Sequence, residues 1–182
     1  FVAANAGLAY FPPLLFAALR FDVAAVALFG YAVLTTPRSE LFPRTRGDAA
    51  GILATGVLAV GLTNAFLFAG QAYTTSAAGA IVFSLSPILT PVFAAFLLTD
   101  ERLSSRGVVG MALGFLGVAL VIDPEPATLL DGGVGEALLF ASAACSALGG
   151  VLVRRADGQL SSTVRTAWGL PFGALIAHLL SL

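Results

Sequence analysis

Charge-free apolar runs, separated by short charged clusters, set the pattern of this chain. A helix needs about 20 mainly apolar residues to cross a hydrocarbon core of roughly 30 Å, so the runs and their punctuation predict the elements. Residues 49–99 contain no charged side chain and are too long for one span. Their weakest point is the polar cluster Gly70, Gln71, Tyr73, Thr74 and Thr75, which divides them into two. Runs of the right length also fall between charged clusters at residues 13–36, 103–122, 137–153 and 162–182. With the tail of an earlier helix in residues 1–9, the prediction is seven spans, the first of them cut short.

The arginines test this division, because they played no part in choosing it. Arg38, Arg44 and Arg46 follow the second span, Arg102 and Arg106 the fourth, and Arg154 and Arg155 the sixth. The connection after the third span carries no charge, and that after the fifth holds Asp123, Glu125, Asp131 and Glu136 without an arginine. Seven of nine basic residues on alternate loops is the positive-inside pattern, and it predicts that the loops after the second, fourth and sixth spans are cytoplasmic.

Composition agrees. The 182 residues are 58% hydrophobic and 10% charged, against about 45–50% and 25% in soluble domains, with a mean hydropathy of +0.96. That balance excludes a soluble domain and predicts an all-α integral membrane protein, a polytopic helical bundle. A net charge of −1 without lysine leaves no basic footprint for nucleic acid. The single Cys145, in an apolar run, reads as a small buried residue, and no disulfide or thiolate metal cluster can form within the chain. Phe1 already lies in an apolar stretch and residues 175–182 are still in a hydrophobic helix, so the chain reads as a fragment.

Proline and glycine mark special places inside spans. Pro87 and Pro91 in "FSLSPILTP" each remove a backbone donor and predict a kinked fourth span beside a cavity. Gly107, Gly110, Gly114 and Gly117 in "GVVGMALGFLG" fall on one helix face and predict close helix packing.

With these features in place, the chain resembles the EamA-like branch of the drug/metabolite transporter (DMT) superfamily. The resemblance rests on "PPLLFAALRFDVAAVALF" at 12–29, with Arg20 early in the second span, and on the Ser-Leu-x-Pro helix. The "DERLSS" turn at 100–105 and the glycine-spaced fifth span complete it. It covers residues 1–123 best. It implies ten helices in two inverted five-helix repeats, of which about six complete spans and one partial span are present. Residues 1–122 would then be the first repeat, 123–134 an extracytoplasmic loop and 135–182 the start of the second.

Polar side chains within spans are the informative minority, because lipid offers them no partner. Arg20 is a candidate to bind an anionic part of a substrate, against the favoured reading of a stem that reaches the outer headgroups or bonds free helix carbonyls. Asp22 is the candidate for a coupling proton. Asn64, Ser84, Ser86 and Thr90 are candidate pathway-lining groups, as the resemblance implies for the third and fourth spans, with interhelical hydrogen bonding as the alternative. Trp168, six residues past Ser162, is a candidate to stack on substrate, whereas Tyr10 and Tyr73 read as interfacial aromatics. Enzyme chemistry finds no constellation. His178 is the lone histidine, there is no H-E-x-x-H, and "DGGVG" at 131–135 lacks the lysine of a phosphate loop. No catalytic residue, cofactor or metal site is expected.

The first expectation is therefore a secondary transporter of a prokaryotic cell membrane. It would export or exchange small organic metabolites by alternating access, in contact with the bilayer and with a proton as candidate coupling ion. A homo-oligomer is compatible with this. The alternative is a non-transporting multi-span assembly subunit whose glycine faces exist for packing.

Overall fold

The computed structural model describes residues 12–74, 76–98, 104–122 and 133–181. The first predicted span, Tyr10, Arg102, Asp123, Glu125, Asp131 and most of the "DERLSS" turn lie outside the described residues, as does most of the 123–134 loop.

The described residues are helical apart from turns. They comprise α1 (Pro13–Thr35), α2 (Arg46–Gln71), α3 (Ser76–Phe83), α4 (Ser86–Leu97), α5 (Ser105–Ile122), α6 (Val134–Arg155) and α7 (Ser162–Leu180). Among the described residues, four stretches are long and apolar enough to cross a membrane: Leu14–Thr35, Arg46–Gln71, Gly79–Leu97 and Val134–Arg155. Chain breaks follow local chemistry. α1 opens on Pro12-Pro13, where a missing N–H costs nothing, and ends before Pro37. α2 opens on a capping box, Thr45 with Asp48, and α2 and α3 part at the polar cluster around Tyr73. α2 is π-helical from Ala54 to Leu62, the stretch that packs against both α6 and α7.

The outside of the bundle is apolar and the inside is small. Leu34 is 87% exposed, Phe96 84% and Leu120 79%, whereas the core holds Ala17, Ala25, Ala143, Ala147, Ala167, Ala174 and Ala177. This is the arrangement lipid selects, since lipid tails compete equally for large side chains and association comes from close backbone packing.

Glycines make that packing, but not those of α5. Among the described residues, a Cβ at Gly110, Gly114 or Gly117 would meet nothing within 4 Å, and one at Gly107 would meet Ser104 Oγ at 3.2 Å. Equal spacing guarantees a shared face, not a neighbour. The tight seams lie on α2. A Cβ on Gly149 of α6 would stand 2.9 Å from the Ala59 backbone nitrogen, one on Gly70 2.9 Å from Gly135 O, and one on Gly173 of α7 2.5 Å from Val60 Cγ1. Gly56 and Gly169 likewise bring α2 and α7 into backbone contact.

These contacts fix helix directions. Gly70 meets Gly135 and Ala59 meets Gly149, so α2 and α6 are antiparallel; Gly56 meets Gly169 and Gly61 meets Ile176, so α2 and α7 are parallel. α1 and α7 are antiparallel, with Asp22 beside His178 and Phe29 beside Trp168. All three directions follow if each predicted span reverses the chain and α3 with α4 makes a single span.

Gly149→Val forces a branched side chain against backbone that cannot yield, and should destabilise the fold by about 1–3 kcal/mol. Gly114→Ala should leave it unchanged. Thermal unfolding of the two variants in one detergent compares them directly.

Candidate functional site

The fourth span is distorted at its middle while its backbone stays helical there, with Leu85 at φ −69° and ψ −20°. α3 ends at Phe83, α4 begins at Ser86, and the turn Ser84–Leu85 lies directly ahead of Pro87, which has no N–H with which to continue the ladder. The turn mixes tighter and regular closures: Leu85 N donates to Val82 O at 3.1 Å and Ile88 N to Leu85 O at 2.9 Å, while Ser84 N donates to Ala80 O at 3.0 Å and Leu89 N to Leu85 O at 2.8 Å. Ser84 Oγ donates to Ile81 O at 2.6 Å and Thr90 Oγ1 to Ser86 O at 2.9 Å, so both hydroxyls satisfy carbonyls of their own segment. Pro91 lies within α4, which continues through it to Leu97.

A cavity of about 490 Å³ opens at this turn, lined by Ser84, Pro87 and Ile88 on one side and Gly107, Gly110, Gly114 and Phe115 of α5 on the other. The α5 glycines clear this space instead of closing a helix contact. Ser84 lines it. Asn64 lies on α2, where its Nδ2 donates to Val60 O at 2.8 Å. A larger cavity of about 590 Å³, between α2 and α6 beside Leu152 and Arg155, includes none of the candidate pathway residues.

The α1–α7 seam takes up the other candidates. Arg20 is exposed, with its guanidinium 5.4 Å from the Phe21 ring centroid. Two residues on, Asp22 faces another way, and its Oδ2 is 2.8 Å from His178 Nε2. Between the helices lie Ala17, Phe21, Ala25, Leu170 and Ala174. Trp168 is occupied by the protein itself. Its Nε1 donates to Leu41 O at 2.8 Å, and its ring meets Phe29 edge-on at 5.4 Å and Phe42 at 6.0 Å. That placement makes it a plug between α7 and the loop after α1, not an open stacking surface.

Two polar anchors had no place among the sequence candidates. Asp48 is 3% exposed. Its Oδ2 accepts from Arg44 N at 3.1 Å and Thr45 N at 3.0 Å, and its Oδ1 from Gln159 N at 2.7 Å and Leu160 N at 3.1 Å. One carboxylate thus ties the loop before α2 to the loop before α7, which puts the arginine clusters of both loops at one end. The signal was available: Thr45-x-x-Asp48 ahead of an apolar run is a capping box. Ser142 on α6 is fully buried and donates to Thr63 O on α2 at 2.6 Å. Among the described residues, no group of three or more His, Cys, Asp or Glu side chains could hold a metal ion.

Asp48→Asn replaces one acceptor oxygen with a donor facing backbone N–H groups and should cost about 1–3 kcal/mol, while Trp168→Phe, losing one hydrogen bond, should cost about 1 kcal/mol. Denaturant titration in micelles separates the two.

Comparison with known proteins gives this architecture its place. The EamA-like transporter family matches residues 1–123. The chain is 33% identical over 180 residues to the uncharacterized transporter YyaM of Bacillus subtilis (strain 168), covering 95% of this chain and 57% of that one. It is 29% identical over 148 residues to an uncharacterized transporter of Archaeoglobus fulgidus, covering 81% and 50%, and 27% identical over 171 residues to the uncharacterized transporter YvbV of Bacillus subtilis, covering 94% and 54%. The chain therefore spans about half the length of these curated relatives. No solved structure matches it. With its glycine-built bundle of apolar helices and the match over residues 1–123, this chain belongs to the EamA-like transporter family.

Proposed function

We propose that this chain is the larger part of the first half, and the start of the second, of a secondary transporter that exports or exchanges small organic metabolites. The observation that carries the reading is the proline-distorted fourth span set beside a cavity. Distorted backbone is tolerated at membrane depth where it is buried in protein or lines a cavity, and secondary transporters build mid-membrane sites at such departures from regular helix. Here the turn faces a cavity of about 490 Å³, which is in the range of small-molecule sites.

The helix directions support a division into an inverted pair of repeats, residues 1–122 and 135–182, with 123–134 as an outer loop. The second and seventh spans hold equivalent places in the two repeats, and they lie antiparallel against one another. Alternating access would then open the cavity to either face of a prokaryotic cell membrane, with the arginine-bearing loops in the cytoplasm. Ser84 would meet solute at the turn, while Thr90 and Asn64 satisfy the Ser86 and Val60 carbonyls. The chemistry is translocation without bond making, so the chain needs no catalytic group or cofactor.

Full-length protein reconstituted in liposomes and offered labelled zwitterionic, anionic and cationic metabolites should accumulate at least one class above protein-free vesicles. Ser84→Leu and Gly114→Leu, which fill the cavity from opposite walls, should each lower that uptake tenfold or more while thermal unfolding stays unchanged. Uptake equal to protein-free vesicles across the panel would overturn the reading.

A further inference from the structure

The cavity of about 590 Å³ between α2 and α6 has no part in the proposed solute path. It is lined by Ala50, Leu53, Ala54 and Val57 on α2 and by Leu152 and Arg155 on α6. Ala50, Leu53 and Arg155 are exposed, so it is a groove that opens to the outside of the described bundle. Backbone contacts bound it at both ends. Gly149 meets Ala59 toward the middle of the two helices, and Gly47 meets Ala156 where α2 starts and α6 stops.

Two cations stand at its mouth. Arg155 is the last residue of α6 and itself lines the groove. Arg46 opens α2 four residues ahead of Ala50, and residues four apart share a helix face, so it stands above the same wall. Both are exposed, and among the described residues neither side chain has a hydrogen-bond or ion-pair partner. Arg155 gains from the negative end of its own helix, whereas Arg46 sits at the positive end of α2, where a cation is unfavourable. Asp48 gives it no relief, since both carboxylate oxygens already accept from backbone N–H groups. Asp157, two residues past Arg155, leaves this edge with more arginine than free carboxylate.

Hydrocarbon below and an anion above is the layout such a groove fits. A helix about 10 Å across, running the roughly 12 Å from Ala50 to Leu58, would occupy about 900 Å³. That exceeds the groove, so a third helix could lie over it but not in it, whereas a single alkyl chain can enter. Chain burial and charge-assisted contacts between guanidinium and phosphate then act together, the combination by which basic pockets between spans take anionic headgroups.

We propose that this groove holds an acyl chain of an anionic phospholipid from the surrounding bilayer, with the lipid phosphate set against Arg46 and Arg155. The inference stands apart from the transport reading, because it concerns the outer surface of the bundle and needs no solute.

Full-length protein in a neutral detergent, given equal amounts of phosphatidylglycerol and phosphatidylcholine with the same acyl chains, tests this by native mass spectrometry, which counts each lipid retained. Phosphatidylglycerol should be retained roughly tenfold over phosphatidylcholine, as two arginines facing an anionic lipid imply. The double variant Arg46→Gln with Arg155→Gln should bring it down to the phosphatidylcholine level. Arg38→Gln, the same change at an exposed arginine on the loop after α1, should leave retention as it was. Ala50→Trp, which fills the mouth from an exposed position, should lower retention as far as the double variant while lipid-free thermal unfolding stays unchanged. Equal retention of the two lipids, retention of neither because another part of the protein covers the groove, or undiminished retention in the double variant would each overturn the proposal. So would a loss in Arg38→Gln as large as that in the double variant, which would assign the effect to surface charge alone, or undiminished retention in Ala50→Trp with native unfolding. If Ala50→Trp alters unfolding, the arginine variants decide.

Discussion

Backbone has to touch backbone in this molecule. A bundle in lipid gains little by hiding large side chains from tails that are equally apolar, so its helices must approach closely enough for dispersion and polar contacts to hold them. α2 is where that requirement is met. Its glycines face Gly135 on α6 and Gly169 on α7, and it packs against both helices through its π-helical middle. The other contacts are arranged around it, with α1 laid along the far face of α7 and α3 and α4 against α6.

Polar groups within the spans obey the same solvent. Thr35, Thr55, Thr63, Asn64, Ser84 and Thr90 each donate to a carbonyl three to five residues back in their own segment. Such bonds satisfy a hydroxyl or amide where water is absent, and they tend to bend or loosen the helix that accepts them. Around Pro87 they accompany the turn; around Thr63 and Asn64 they sit at the end of the π-helical stretch. Ser142 instead crosses between helices, and it does so fully buried.

Much of the fold was legible because it depends on short-range chemistry. The polar cluster around Tyr73 does separate two spans, Pro12-Pro13 and Pro37 do bound α1, and the turn at Ser84–Leu85 does lie directly ahead of Pro87. What could not be read was who sits opposite whom. The α5 glycines share a face in sequence and in space, yet only their surroundings decide whether that face packs or lines a cavity. Asp22 and His178 are separated by 156 positions and Asp48 and Leu160 by 112, and no spacing rule reaches so far. Trp168 showed the same limit. Its depth in α7 was readable, but its partners, Leu41, Phe29 and Phe42, come from elsewhere in the chain.

The Asp48 carboxylate has a mechanical consequence. Two of its four bonds hold its own helix cap and two hold the backbone at Gln159 and Leu160, so α2 and α7 are stitched together at the end where both begin. Separating them there would strand a buried charge, which is far more costly than sliding apolar surfaces past each other. These two parallel helices therefore share a fulcrum. Any large rearrangement of the bundle must swing about it, with its amplitude growing toward the opposite face.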